Sequence, residues 1–263
     1  MSRSKNIIVT IFFVLAGLLI VSCEKVIDVD LNDANTQLVV DAFITDSIGW
    51  GQVRLSKTGS FYDNNALPTI DNATVKIEDS EGSEFLLQSK GNGLYENSFL
   101  KTMSGRGYTL QIDYNNQMVS SYAYTPTKVA IDSLSLESFD YGMPSEKPLY
   151  LVTAYFQDPP NESNYYRFRI FINGRLDDGF LNSDDKYFDG LYNDANLTVA
   201  EEGDTVYIEM YCVDKANYDY FKTIGDASST DTPGNPISNI EGENAIGYFG
   251  AYTASSKMIV VIP

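Results

Sequence analysis

Histidine is absent from all 263 residues. That removes Ser-His-Asp and Cys-His nucleophile arrangements, His-ligated zinc and the HExxH metalloprotease helix together. Cations are scarce as well. The chain sets 18 Lys and Arg against 36 Asp and Glu, for a formal charge of −18, and no basic cluster lies beyond the first few residues. A surface of that sign repels phosphate backbones, so nucleic acid is not an expected partner. The acidity fits solubility outside the cytoplasm or attraction to cations and basic peptides. Long apolar runs are missing too: Ile7 to Val21 is the one extended stretch, broken by Thr10 and Gly17. It falls short of the ~20 residues that a membrane-spanning helix needs.

That stretch has the build of a signal peptide instead. Arg3 and Lys5 form a short positive region, the apolar run follows, and Ser22 supplies a small residue at its end. Ile20-Val21-Ser22-Cys23 resembles the bacterial lipobox. The resemblance implies cleavage before Cys23 and acylation of its sulfur and amino group, with two or three chains giving an anchor that one chain cannot. Residues 1–22 read as the lipoprotein signal and 23–36 as an acidic tether. Glu24 behind Cys23 fits sorting to the outer membrane, and the acids Asp28, Asp30 and Asp33 fit either export to the outer face or a solvated tether. Cleavage removes two cations and no acid, so the mature chain is more acidic still.

Only two cysteines are present, and with Cys23 acylated no intramolecular disulfide can form. The other, Cys212, sits in TVYIEMYCV, where Val206, Ile208, Met210 and Cys212 fall on one face at period two. A buried, inert thiol is expected there.

Short strands separated by turn residues occupy the rest. LVVDAFIT (38–45), QVRLSKT (52–58), ATVKIED (73–79), EFLLQS (84–89), LYENSF (94–99), YTLQID (108–113) and NQMVSSYAYT (116–125) alternate with Asp-Ser-Glu-Gly, Gly-Asn-Gly, Gly-Arg-Gly and Asn-Asn turns. This spacing predicts an antiparallel β-sandwich over residues 37–126. The order ATVKIED, turn, GLYE, GRGYTLQI resembles the transthyretin-like or immunoglobulin-like modules of bacterial surface proteins. Pro126 marks a boundary.

Beyond it, AIDSLSLES (130–138), PLYLVTAYFQD (148–158), NYYRFRIFING (164–174), DTVYIEMYCVD (204–214) and SKMIVVI (256–262) predict a second β-sandwich over 127–263. Tyr166, Phe168, Ile170 and Ile172 share one face of the third segment, and Arg167 and Arg169 the other. One helix is predicted, with Asp214 as N-cap, Tyr218, Phe221 and Ile224 on its apolar side and Gly225 as its stop. The whole chain therefore reads as all-β with one packed helix.

Few motifs carry chemistry. Lys57-Thr58-Gly59 matches one penicillin-recognising triplet, but the Ser-x-x-Lys that must accompany it occurs only at Ser2–Lys5, inside the signal. Gly91-Asn92-Gly93 lacks the later glycine and following helix of a dinucleotide loop and reads as a hairpin turn. A carboxylate pair for glycoside hydrolysis can be picked from so many acids, without any particular pair standing out. The densest acidic stretch, Asp177 to Asp194, offers oxygen ligands for calcium but misses the EF-hand spacing. It reads as a solvated loop, although Phe180, Tyr187, Phe188 and Tyr192 suit packing or recognition better than solvation.

Several segments together resemble the domain-of-unknown-function family 4249. They are CEKVIDVDL after the lipobox, LVVDAFITD, VRLSKTGSFYDNN, DPPNESNYYRF at 158–168 and NPISNIEGENAIGYFGAY at 235–252, in order along the chain. One departure is Glu243-Asn244, where the family tends to run through glycines. The resemblance implies an outer-membrane lipoprotein encoded beside a TonB-dependent receptor. The expected function is non-catalytic: a surface-exposed, ligand-capturing or lid-like accessory to a TonB-dependent transporter in nutrient uptake. A structural or adhesive surface lipoprotein is the alternative, and a carboxylate-dependent glycosidase the third. No cofactor, metal or catalytic residue is expected, and the ligand, a small molecule or peptide, is not specified. Expected sites are Cys23 for the lipid and Tyr62, Tyr187 and Tyr192 as aromatic contacts for partner or ligand, because loops on a rigid β scaffold carry such contacts.

Overall fold

Period-two alternation of apolar and polar residues sets most of the architecture, as a computed structural model of the chain shows. The structure describes residues 36–47, 51–59, 67–139, 142, 147–177, 181–229 and 236–262. The first strands are β1 (Leu38–Thr45), β2 (Gln52–Lys57), β3 (Thr74–Asp79), β4 (Glu84–Gly91), β5 (Leu94–Glu96), β6 (Gly107–Tyr114) and β7 (Gln117–Tyr124). Then come β8 (Ser133–Phe139), β9 (Leu149–Gln157), β10 (Tyr165–Ile172), β11 (Arg175–Leu176), β12 (Leu181–Asp184), β13 (Tyr192–Glu201), β14 (Thr205–Val213), helix α1 (Lys215–Ser229) and β15 (Ala245–Val260). Among the described residues the protein is mostly β, in two sheets with one helix.

The larger sheet has twelve strands in the order β11-β10-β14-β15-β1-β2-β5-β4-β3-β6-β7, with β12 also on β10; the smaller is β13-β9-β8. Inward side chains form two main cores. In the first, Val40, Ala42 and Ile44 of β1 meet Val75, Ile77, Leu110 and Ile112 from β3 and β6. In the second, the small sheet lays Val152, Ala154 and Phe156 against Tyr166, Phe168 and Ile170 of β10 and Ile208, Met210 and Cys212 of β14. Val129 and Ile131 belong to the second core, while the first also takes Ile240, Phe249 and Ala251 from beyond the boundary expected near residue 126.

One strand serves both sides of that boundary. Residues 245–252 of β15 run parallel to β1, and residues 253–260 pair antiparallel with β14. Two glycines make this possible. Gly247 has φ 121°, and a Cβ there would lie 1.9 Å from the Val40 carbonyl, so only glycine lets β15 approach β1. At Gly250 a Cβ would lie 2.3 Å from the Tyr252 ring, which lies flat across it. Asn244 has φ 51°, a conformation that asparagine tolerates best after glycine. Its carbonyl accepts from the Leu38 amide at 2.8 Å and starts the pairing.

Three sequence expectations need correction. Strand β13 and the first half of β15 were not anticipated, because ANLTVAE lacks strong alternation and NAIGYFGAY is apolar on both faces. The acidic segment 177–194 is not a free loop where it is described: β12 pairs with β10, and β13 begins at Tyr192. Helix α1 does start after Asp214, whose Oδ1 accepts from the Asn217 amide at 3.0 Å, but it runs through Gly225 to Ser229. A mid-helix glycine costs only about 1 kcal/mol, which packing of Tyr218 and Phe221 offsets.

Candidate functional site

The outward face of the large sheet carries the most elaborate constellation. Odd-numbered residues of β1 and β10, and the matching residues of β14 and β15, point away from the cores there. They include Asp41, Phe43, Arg167, Arg169, Tyr211 and Tyr252, and α1 covers one side. Together with Gln52, Leu176 and Tyr248 they line a cavity of about 220 Å³.

Its walls are fixed by hydrogen bonds and ring contacts. Asn217, fully buried at the start of α1, accepts from the Tyr252 hydroxyl (2.8 Å) and donates to Asp214 Oδ1 and to the Phe249 carbonyl (both 2.9 Å). This ties the helix to β15 and holds the Tyr252 ring. Phe43 stacks on that ring at 6.2 Å with 9° between planes, and Tyr211 meets it at 5.6 Å. The Tyr211 hydroxyl donates to Glu209 Oε2 (2.7 Å), and Arg169 Nη1 donates to the same oxygen (3.3 Å). Glu209 is buried and Arg169 neutralises it, as a buried carboxylate requires.

Burial pushes the phenols of Tyr211, Tyr248 and Tyr252 well above their ordinary range. For Tyr211 the bond to Glu209 adds to the rise; for Tyr252 and Tyr248 the nearby charge of Arg167 opposes it. All three are neutral hydrogen-bonding groups near neutral pH.

Arg167 differs from Arg169. Its guanidinium lies 3.5 Å from the centre of the Phe221 ring, a cation–π contact. Three half-buried arginines occur among the described residues. Arg106 pairs with Asp79 and Glu81, and Arg169 with Glu209, while Arg167 has no carboxylate within ion-pair distance among the described residues. Asp41, which also lines the cavity, likewise has no Lys or Arg within that distance among those residues. Its cross-strand neighbour Arg54 turns instead to the Asn92 carbonyl, at 3.4 Å.

A second cluster lies elsewhere, on the side of the three-stranded sheet. Asp158, Asp185 and Asp189 bring carboxylate oxygens within 4.8 Å of one another. Asp158 accepts from the Tyr166 hydroxyl and from the Gly190 amide (2.9 Å). Asp185 accepts from the Asn164 amide (2.7 Å), and Asp189 from the Asn161 amide (2.8 Å). Burial raises the Asp158 carboxyl above its ordinary range, with the charges of Asp185 and Asp189 adding to the rise and the two hydrogen bonds opposing it. Three carboxylates are few beside the six to eight oxygens of a calcium shell, and their lone pairs already serve to lock loop 158–164 onto loop 185–191. DPPNESN is thus a clasp between loops.

The residues expected to make contacts are dispersed. Tyr187, in loop 185–191, is 85% exposed with the Lys186 ammonium 5.3 Å from its ring. Its neighbour Phe188 turns inward against Phe156 and Tyr166, so the loop is pinned by one ring and displays the other. Tyr192 is 57% exposed and stacks on Tyr155 at 6.2 Å. Neither lines the cavity, and Tyr62 and Cys23 lie outside the described residues. Lys57-Thr58-Gly59 closes β2, and Gly91-Asn92-Gly93 turns β4 into β5. Sequence reasoning missed the cavity, although one signal was present: Arg167 and Arg169 alternate with the buried face of β10. It also missed Met118, Tyr122 and Tyr124, exposed on the outer side of the edge strand β7.

No curated protein matches the chain. A family model described as "Domain of unknown function (DUF4249)" matches residues 24–258, nearly the whole length that follows Cys23, and the chain belongs to that family.

Proposed function

We propose that this chain is an outer-membrane lipoprotein, anchored through Cys23 and facing the cell exterior, that captures a ligand for a TonB-dependent receptor or closes over it, without catalysing a reaction. The observation that carries this reading is the pre-organised cavity, whose arginines and tyrosines are held by the sheet and α1. Binding sites of this kind are concave, aromatic and equipped with a few placed polar groups. The absence of histidine and the lipobox ending at Cys23 support the same reading. Exposed rings at Tyr187 and Tyr192, and on β7 at Tyr122 and Tyr124, supply aromatic surface of the sort that anchors protein contacts.

Pull-down of the lipidated full chain from native outer membranes tests the proposal. A TonB-dependent receptor should co-purify, and Tyr187→Ala or Tyr192→Ala should weaken its recovery without lowering the melting temperature. Cys23→Ala should abolish labelling by a fatty-acid probe. Recovery of no receptor, together with binding of the chain to surfaces or other cells, would favour the adhesive role instead.

A further inference from the structure

The cavity's chemistry is more selective than an aromatic cleft alone. Its lining carries opposite charges that do not cancel one another: no ion pair joins Arg167 to Asp41, and neither has an oppositely charged side chain in ion-pair reach among the described residues. The neighbouring charges, Arg169 and Glu209, neutralise each other. Tyr248 feels both Arg167 and Asp41, whose effects on its hydroxyl oppose, so the two charges act on one small space. Its volume, about 220 Å³, lies below the ~300–1,000 Å³ of pockets that enclose drug-sized ligands. A protein at −18 also discourages a simple anion from approaching, whereas a ligand with no net charge meets no such barrier.

We infer that the cavity binds a small zwitterion, a free amino acid with an apolar or aromatic side chain, whose carboxylate is taken by Arg167 and whose ammonium is taken by Asp41. The planar guanidinium presents two parallel N–H donors to the two carboxylate oxygens, and contact with Phe221 keeps that fork in place. The Asp41 carboxylate accepts from the ammonium. Phe43, Tyr248 and Tyr252 supply the surface for the apolar part. The inference deepens the ligand-capturing reading above and rests on it.

Calorimetric titration of the full chain in detergent tests it with three probes: phenylalanine, phenylacetate, which lacks the ammonium, and phenethylamine, which lacks the carboxylate. Phenylalanine should bind most tightly. Arg167→Gln should weaken phenylalanine and phenylacetate by roughly tenfold or more, the scale of a lost charge-assisted hydrogen bond. Asp41→Asn should weaken phenylalanine while leaving phenylacetate unchanged or tighter, a reversal that general unfolding does not produce. Arg167→Lys, which keeps the charge and loses the fork, should fall between parent and Arg167→Gln. The inference is overturned if phenylalanine does not bind, if phenylacetate matches it in the parent, if Arg167→Gln leaves phenylalanine and phenylacetate unweakened, or if Asp41→Asn leaves phenylalanine unweakened or weakens phenylacetate as much. A receptor that co-purifies with a chain binding none of the probes overturns the zwitterion alone. Probe binding with no receptor recovered supports the zwitterion and removes the accessory role.

Discussion

Asn217→Ala should be among the most disruptive changes of a polar residue in this molecule, and its cost can be worked from the hydrogen bonds. The asparagine is fully buried and makes three side-chain hydrogen bonds, to Asp214, to the Phe249 carbonyl and from the Tyr252 hydroxyl. Truncation does not orphan all three partners. The Phe249 carbonyl keeps the Asn239 side-chain amide at 2.8 Å, and Asp214 keeps the Asn217 and Tyr124 backbone amides, each at 3.0 Å. Those two bonds therefore count at the ordinary net value of about 0.5–1.5 kcal/mol each. The Tyr252 hydroxyl, in a residue 1% exposed, is left without its acceptor, at about 1–3 kcal/mol. The total is about 2–6 kcal/mol. For a folded unit of this size it lowers the melting temperature by roughly 4–24 °C. Thermal unfolding followed by circular dichroism reads it directly. Tyr252→Phe in the Asn217→Ala background removes the orphaned hydroxyl, so the double variant should be more stable than the sum of the single effects predicts. A loss below about 1 °C for Asn217→Ala, or strict additivity of the two changes, would refute the hub that ties α1 to β15.

Three further expectations follow from packing and charge. Gly250→Ala places a Cβ 2.3 Å from the Tyr252 ring and should displace that ring from Phe43, with lower thermal stability and weaker probe binding in the same variant. Asp79 is buried, which alone would raise its carboxyl, but the Ser83 and Glu81 amides and the Arg106 guanidinium hold it below the usual carboxylate range. Its stabilising contribution is complete above the unfolded value near 4 and is lost as pH falls through the lower folded value; Asp79→Asn should flatten the acid limb of a stability–pH curve. Cys212 is buried, its thiol pushed up by burial, and accepts from the Val129 amide at 3.4 Å. It should resist a thiol reagent at neutral pH until denaturant is added, and rapid labelling of the native chain would contradict the packing.

Much of the first core was legible because its strands alternate strictly. TVKIED, for instance, buries Val75 and Ile77 and shows Lys76 and Glu78 to one another across the outer face. The start of α1 was legible for the same local reason: Asp214 caps its own helix. What local pattern does not encode is pairing at a distance. Asp41 and Arg167 share a cavity only because β1 lies beside β15, β15 beside β14 and β14 beside β10. β1, β10 and β14 each read alone as an isolated strand, and the half of β15 that joins β1 was not anticipated. The aromatic loop residues show the converse. Phe188 and Tyr187 are adjacent and alike in sequence, yet the turn that follows Asp185 packs one half-buried against the second core and exposes the other. The acidic segment likewise looked like a solvated loop because the charges of Asp185 and Asp189 were counted without their backbone donors, Asn164 and Asn161 of loop 158–164.

The shared strand also orders events in time. Leu38 pairs with Ala245, and the sheet edge that β1 presents away from β2 stays open until some two hundred further residues have arrived. Bringing such distant segments together is slow, because the closure entropy of the intervening chain opposes each pairing before any contact rewards it. A nascent chain halted near residue 126 would carry Val40, Ala42 and Ile44 on a strand with one bare edge, a template for pairing with another copy. Productive folding therefore favours a chain that is kept extended until β15 has been made, and that then locks from its last strand, with β15 sealing both cores in a single step.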